Sequence, residues 1–258
     1  MLHRAVTGAP PIAAVVPAGR VVLVHGFTQT LRSWDPVYQG LPQGREIVAV
    51  DLPGHGGSSP LRMDFVATAA AVGHAGGRGA YSGYSMGGRL CLQLGLDRPD
   101  LVTALVLTGA SPGLADPAAR AARRQADEIL ADEIEAKGTA VFIDRWLRQP
   151  LFAGLHPTPD DVAARRANPA DSLASALRTL GTGAQEPLWS RLGELTMPVL
   201  VVVGEGDAKF RAIGEEMVAS MKQAAMATIS GAGHAAHLER PAAWAQAVTA
   251  FLDRHQAW

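Results

Sequence analysis

The sequence predicts an α/β fold: a doubly wound, mostly parallel sheet with a helical lid inserted late in the chain. Three observations carry that expectation. Short continuous apolar runs alternate with helical segments, as strands buried on both faces alternate with their crossover helices. Gly83-Tyr84-Ser85-Met86-Gly87 stands where one such strand should turn sharply into a helix. From about residue 111 to 195 the apolar runs vanish and charged helical segments replace them. The expected division is a sheet domain of residues 1–110 and 196–258 and an inserted lid of residues 111–195.

In chain order, residues 12–16 and 20–25 read as strands, the second ending in His25-Gly26-Phe27-Thr28. Residues 45–51 form the next strand, which runs into the turn Leu52-Pro53-Gly54-His55-Gly56. Asp51 and His55 there read as structural or pocket-edge groups. An Ala-rich helix is expected over 62–76 and a strand over 79–84. That strand, Gly-Ala-Tyr-Ser-Gly-Tyr, is weak by propensity and is required by the turn that follows. A helix over 85–97 and a strand over 104–108 complete the first half. Lid helices are expected at 117–136, 139–148, 159–167, 170–180 and 187–192. The clearest strand is 198–204, followed by a helix at 211–222, a strand at 225–230 and a closing helix at 241–254.

Bulk properties bound the function. With 258 residues, 48% of them hydrophobic, the chain can bury one large core. A net charge of −1 points neither to nucleic acid nor to an anionic membrane surface. No stretch reaches the ~18 apolar residues of a membrane span. The single cysteine, Cys91, cannot close an intrachain disulfide, and it reads as an inert buried residue on its helix. Pro10, Pro11 and Pro17 interrupt the apolar N-terminal stretch, so no secretory signal is expected and the setting reads as cytoplasmic. His25, His55, His74 and His156 are scattered, and neither a metal nor another cofactor is implied. A monomer or a small homo-oligomer are both compatible.

The chemistry centres on Ser85. A serine on a sharp turn needs neighbours without Cβ atoms two residues either side, and Gly83 and Gly87 meet that need. A helix starting there offers free N–H groups and the positive end of its dipole. Serine becomes reactive only with an imidazole in reach, itself held by a carboxylate. Asp207 follows the 198–204 strand and His234 follows the last strand, so both fall at carboxyl ends of parallel strands, where open α/β sheets bind ligands. His237 is the local rival for the base and Glu205 for the acid. This order, Ser…Asp…His, with G-x-S-x-G at a strand-to-helix turn, is that of α/β-hydrolases. In that fold the backbone N–H groups of Phe27 and Met86 would form the oxyanion hole.

Arg89 falls one helical turn after Ser85, on the same face. Arg120, Arg123, Arg124, Arg145, Arg165 and Arg166 lie in the lid. Guanidinium groups are the best bidentate partners for carboxylates, so several near one serine suit a small anionic substrate. The plainer reading pairs the lid arginines with lid acids such as Asp127, Glu128, Asp132 and Glu133.

Together, Tyr84-Ser85-Met86-Gly87-Gly88-Arg89, Ser111-Pro112-Gly113-Leu114, Trp146 with Gln149-Pro150-Leu151-Phe152, Gly181-Thr182-Gly183-Ala184-Gln185 and Gly204-Glu205-Gly206-Asp207-Ala208-Lys209-Phe210 resemble the 2-succinyl-6-hydroxy-2,4-cyclohexadiene-1-carboxylate synthase family of menaquinone biosynthesis. The resemblance spans nearly the whole chain. It implies a carbon–oxygen lyase on a hydrolase fold, eliminating pyruvate from 2-succinyl-5-enolpyruvyl-6-hydroxy-3-cyclohexene-1-carboxylate, with Ser85 acting as a base. It also implies Arg89, Arg123 and Arg165 as carboxylate binders and Tyr84 and Trp146 as pocket residues. The rival readings are a serine hydrolase of the same fold, such as a C–C bond hydrolase or carboxylesterase, and a non-catalytic binding protein on this scaffold. An aspartate-nucleophile hydrolase is excluded, since position 85 is serine.

Overall fold

A computed structural model describes residues 1–7, 19–42 and 44–258. Seven strands form one sheet: β1 (Arg4–Thr7), β2 (Arg20–Val24), β3 (Glu46–Val50), β4 (Gly79–Tyr84), β5 (Val102–Thr108), β6 (Val199–Gly204) and β7 (Ala224–Ile229). Their spatial order is β1-β3-β2-β4-β5-β6-β7. Among the described residues β1 alone runs antiparallel, against β3, and every other neighbouring pair is parallel. The strand expected at 12–16 lies outside the described residues. β1 was not expected: its four residues are mostly exposed and too few to show an alternation.

The helices are α1 (Asp35–Tyr38), α2 (Phe65–Gly76), α3 (Met86–Asp97), α4 (Pro117–Lys137), α5 (Thr139–Trp146), α6 (Pro159–Arg166), α7 (Ala170–Leu180), α8 (Ala208–Ser220), α9 (Ala236–Glu239) and α10 (Pro241–His255). Several boundaries follow from caps. Asp64 accepts from Ala67 N and starts α2 three residues later than the composition suggested. Asp207 accepts from Phe210 N, so α8 begins at Ala208 instead of residue 211. Asp116 and Thr158 cap α4 and α6, each with proline at the first helical position. The helix expected at 187–192 is instead a 3-10 stretch, Trp189–Glu194.

Two hydrophobic clusters cover the two faces of the sheet. β4 lies at its centre with all six residues buried, so tertiary burial overrides its poor propensity. Its small residues are there for close approach. A Cβ on Gly83 would sit 2.5 Å from the Gly87 carbonyl oxygen, because α3 crosses directly over the strand end.

Between β5 and β6 the chain forms α4 to α7 and no strand. These helices carry a small cluster of their own, including Ile134, Phe142, Ile143 and Leu173. Phe27, from the loop after β2, packs against that cluster, so the inserted helices rest on the carboxyl edge of the sheet.

Candidate active site

Four strand ends supply the site. β4 runs directly into Ser85, which sits at φ +50°, ψ −109°, a backbone region that L residues seldom adopt. The conformation is held by neighbours: Ser85 N–H donates to the Thr108 carbonyl at 2.9 Å, and its own carbonyl accepts from Arg89 N–H at 3.0 Å. A Cβ on Gly87 would collide with the Val24 carbonyl oxygen, and Gly87 has none. The two motif glycines thus keep the elbow tight enough to lift the serine above the sheet.

His234 and Asp207 come from the loops after β7 and β6. His234 Nδ1 lies 2.8 Å from Asp207 Oδ2. On the other side of the ring, Nε2 lies 3.4 Å from Ser85 Oγ. With Nδ1–H donating to the carboxylate, Nε2 is the acceptor that faces the serine hydroxyl. The longer second contact is ordinary for a site without substrate. The imidazole is also held by rings, with Phe210 at 4.5 Å and Tyr84 at 5.3 Å between centroids. Such an arrangement can move a proton off Ser85, and so can make it either a nucleophile or a base.

The loop after β2 brings Phe27. Thr28, the next residue, stands at φ +70° and is gripped on three sides. Its N–H donates to His55 Nε2 at 3.2 Å, its carbonyl accepts from Asn168 Nδ2 at 2.9 Å, and its hydroxyl accepts from Arg165 at 2.7 Å. Neither the Phe27 N–H nor the Met86 N–H has a protein acceptor among the described residues. Both residues line one cavity with Ser85 and His234.

That cavity measures about 900 Å³ with its open mouth. Tyr84, Arg89, Arg123, Trp146 and Arg165 line it too, together with Lys209, and among the described residues no aspartate or glutamate does. Asp207 stands behind His234, out of the lining. The arginines differ in what holds them. Arg123 pairs with Asp127 at 2.7 Å, and Arg165 pairs with Asp161 at 2.7 Å as well as with Thr28. Arg89 is buried and, among the described residues, has no carboxylate within ion-pair distance, Asp127 acting on it from further off. It donates to Gln185 Oε1 at 2.9 Å and to the Leu180 carbonyl at 2.7 Å. Burial, with Arg123 nearby, pulls its guanidinium down to about 9, still charged at neutral pH. A buried cation beneath a serine, eased only at a distance by Asp127, is a place prepared for an anion.

Comparison with known proteins identifies the family and the fold. The profile of the alpha/beta hydrolase family matches residues 21–247. A protein of Salmonella heidelberg (strain SL476), 2-succinyl-6-hydroxy-2,4-cyclohexadiene-1-carboxylate synthase, is 34% identical over 234 residues, covering 87% of this chain and 90% of its own. The chain belongs to that synthase family. A candidate synthase of Bacillus subtilis (strain 168) is also 34% identical, over 90% of this chain and 89% of its own. The solved structure of MenH from S. aureus superposes with a TM-score of 0.89 at 27% identity, covering 99% of this chain and 100% of that one. The enol-lactonase of Burkholderia xenovorans LB400, at 20% identity and a TM-score of 0.79, shares the fold.

Within this synthase-family chain the rivals named from sequence lie elsewhere. His237 is fully buried among Trp34, Tyr84 and Trp244, with neither ring nitrogen hydrogen-bonded. Glu205 is engaged with Ser230 Oγ and Gly231 N–H, both at 2.9 Å, and does not reach His234. Asp51 accepts from Leu31 N–H and Gly57 N–H, a structural use. Outside the cavity the plainer reading of the lid arginines holds: Arg145 pairs with Glu133, Arg166 with Asp144, and Arg178 with Glu128, Asp132 and Glu135. Sequence reasoning missed Asn168, which holds Thr28 from 140 residues away, and Glu239; Gln185 stood within a motif, but its bond to Arg89 was not foreseen. Lys209 was within a quoted motif, yet its place at the cavity was not foreseen.

The buried histidines of this family member set its acid stability. Burial first, and neighbouring cations or histidines second, pull His55 and His237 down to about 3. Burial lowers His25 as well. His55 and His237 stay neutral in the fold while the unfolded chain takes up protons at them below about 6.5. Their burial leaves stability undiminished above that pH and removes it progressively as the pH falls toward 3. Each group contributes a slope of about 1.4 kcal/mol per pH unit within that window. Urea unfolding at pH 7, 6 and 5 should show a steep loss; equal midpoints at pH 7 and 5 would contradict it.

Proposed function

We propose that this chain eliminates pyruvate from 2-succinyl-5-enolpyruvyl-6-hydroxy-3-cyclohexene-1-carboxylate to give 2-succinyl-6-hydroxy-2,4-cyclohexadiene-1-carboxylate, a step of menaquinone biosynthesis. The observation that carries the reading is the cavity itself. It joins Ser85 and His234 to a lining with four cationic side chains and, among the described residues, no acid, one of the cations being the buried Arg89, which makes no ion pair. A substrate bearing three carboxylates matches that charge.

The chemistry follows from the positions. Ser85 Oγ takes the ring proton α to the succinyl ketone while its own proton passes to His234 Nε2. Asp207 steadies the imidazolium through Nδ1. The C–H electron pair becomes an enolate, whose oxygen the Phe27 and Met86 N–H groups receive. Such donors typically contribute ~3 to 4 kcal/mol each to the transition state. Collapse of the enolate forms the ring diene and breaks the C–O bond to the enolpyruvyl group. That group recovers the proton and tautomerises to pyruvate. Arg89, Arg123 and Arg165 hold carboxylates, and Tyr84 and Trp146 shape the ring site. No electron is gained or lost, and every group used comes from a single chain. A cytoplasmic setting suits the lone, buried Cys91.

A serine hydrolase would share Ser85, His234 and Asp207, so selectivity decides between the two. The synthase should show a kcat/KM for pyruvate release at least ~10³-fold above its value for p-nitrophenyl acetate, the advantage coming from anion binding realised in the transition state. Rapid turnover of the neutral ester without pyruvate release would assign the hydrolase reading instead.

A further inference from the structure

The loop that presents His234 has an unusual support. Gly233 and His234 make no backbone–backbone hydrogen bonds among the described residues. What fixes the loop is one side chain from α9. Glu239 Oε2 accepts from Gly233 N–H at 2.6 Å, and Glu239 Oε1 accepts from Ala235 N–H at 3.0 Å. The two oxygens of a single carboxylate thus clasp the N–H groups of the residues on either side of His234. Both are charge-assisted bonds, the stronger kind.

We propose that Glu239 is the positioning residue of the site: its carboxylate sets the placement of the His234 imidazole relative to Ser85. The side-chain partners of the ring do not do this alone. Asp207 fixes one nitrogen and the tautomer, while Phe210 and Tyr84 confine the ring's tilt. Neither prevents the loop from carrying the ring along the line toward Ser85, where the gap is already 3.4 Å. The Glu239 clasp opposes that displacement. The surroundings are shaped to admit it. A Cβ on Gly154 would meet Glu239 Oε2 at 2.5 Å, and a Cβ on Gly233 would crowd both oxygens at 3.2 Å. Behind the loop, Gly109 stands at φ +55°, and a Cβ there would press on His234 Cε1 at 2.9 Å. The histidine is therefore enclosed by glycines and, besides Asp207 on its ring, its loop is held by Glu239, which lies outside the cavity lining.

The role rests on His234 being the base but not on which reaction it serves, and the experiment separates the two. Glu239→Gln keeps one accepting oxygen and turns an N–H2 group toward a second N–H; Glu239→Ala removes both acceptors. Each variant is compared with wild type for kcat and KM of pyruvate release, for the rate at which a fluorophosphonate labels Ser85, and for Tm. Glu239→Gln should lower kcat and the labelling rate in parallel, by roughly tenfold, with KM within about twofold. Glu239→Ala should lower both further. Labelling needs no lyase activity, so its slowing supports the positioning role even if no pyruvate forms. Unchanged kcat and labelling in both variants at native Tm would overturn it. So would a rise in KM that tracks a fall in Tm with kcat unaltered, which is the signature of a support for the fold alone.

Discussion

Ser85→Ala will abolish pyruvate release, lowering kcat by at least ~10³-fold while the protein remains folded. Both halves of that result follow from the geometry. Alanine occupies the same volume less one oxygen, and the elbow's φ of +50° is imposed by Thr108, Gly83 and Gly87, not by the hydroxyl. Stability should therefore move little. In the proposed mechanism the hydroxyl stands between His234 and the substrate carbon, so removing it breaks the proton path from that carbon to the imidazole. His234→Ala should cost a similar factor, and the double variant little more than either single one, because the two residues act as a unit. Measured effects that multiply would mean that each contributes separately, and the proton path described above would be wrong.

The second large effect is at Arg89. Arg89→Met should lower kcat/KM by roughly 10²-fold, as expected for the loss of one desolvated carboxylate clamp. Its guanidinium is buried, without an acid partner, and depressed to about 9 chiefly by desolvation. The cost of burying the charge is thus already met in the free protein and is recovered when an anion arrives. For the same reason stability and activity should separate. Methionine relieves an unfavourable buried cation, which offsets the donors lost to Gln185 and Leu180. Tm should stay within about 5 °C of wild type. Arg89→Lys should not rescue, since an ammonium cannot reproduce the fork that spans Gln185 and Leu180 while leaving a donor for a ligand. A kcat/KM unchanged in Arg89→Met would remove Arg89 from the site.

Much of this arrangement is readable along the chain, for identifiable reasons. Gly83 and Gly87 are required by backbone contacts within the elbow and so appear as a motif. Asp207 and His234 stand just past continuous apolar strands, which locates them at the ligand edge of a parallel sheet. The i,i+4 pairs Arg123–Asp127 and Arg165–Asp161 are written in helical spacing. Other features have no local signal. β4 is a central strand made of residues that disfavour strands, and only its burial between β2 and β5 explains it. Gln185 reaches Arg89 across 96 positions and Arg165 reaches Thr28 across 137, so neither contact could be inferred from spacing. Glu239 is an intermediate case: it follows His234 closely, but a reach back along a loop has no periodicity to announce it. Which lid arginines face the cavity and which merely pair on the surface was likewise a question for the fold, since both kinds sit among acids.

The most direct measurement is the stoichiometry of the reaction itself. Purified protein, treated with a chelator and given the enolpyruvyl substrate, should release one pyruvate for each cyclohexadiene product formed, both followed in the same sample. Intact-protein mass during turnover should remain that of the free chain, because in the proposed mechanism Ser85 takes a proton and forms no bond to carbon. Failure to form pyruvate, or a steady-state adduct on Ser85, would contradict the assignment of this site to proton abstraction and elimination.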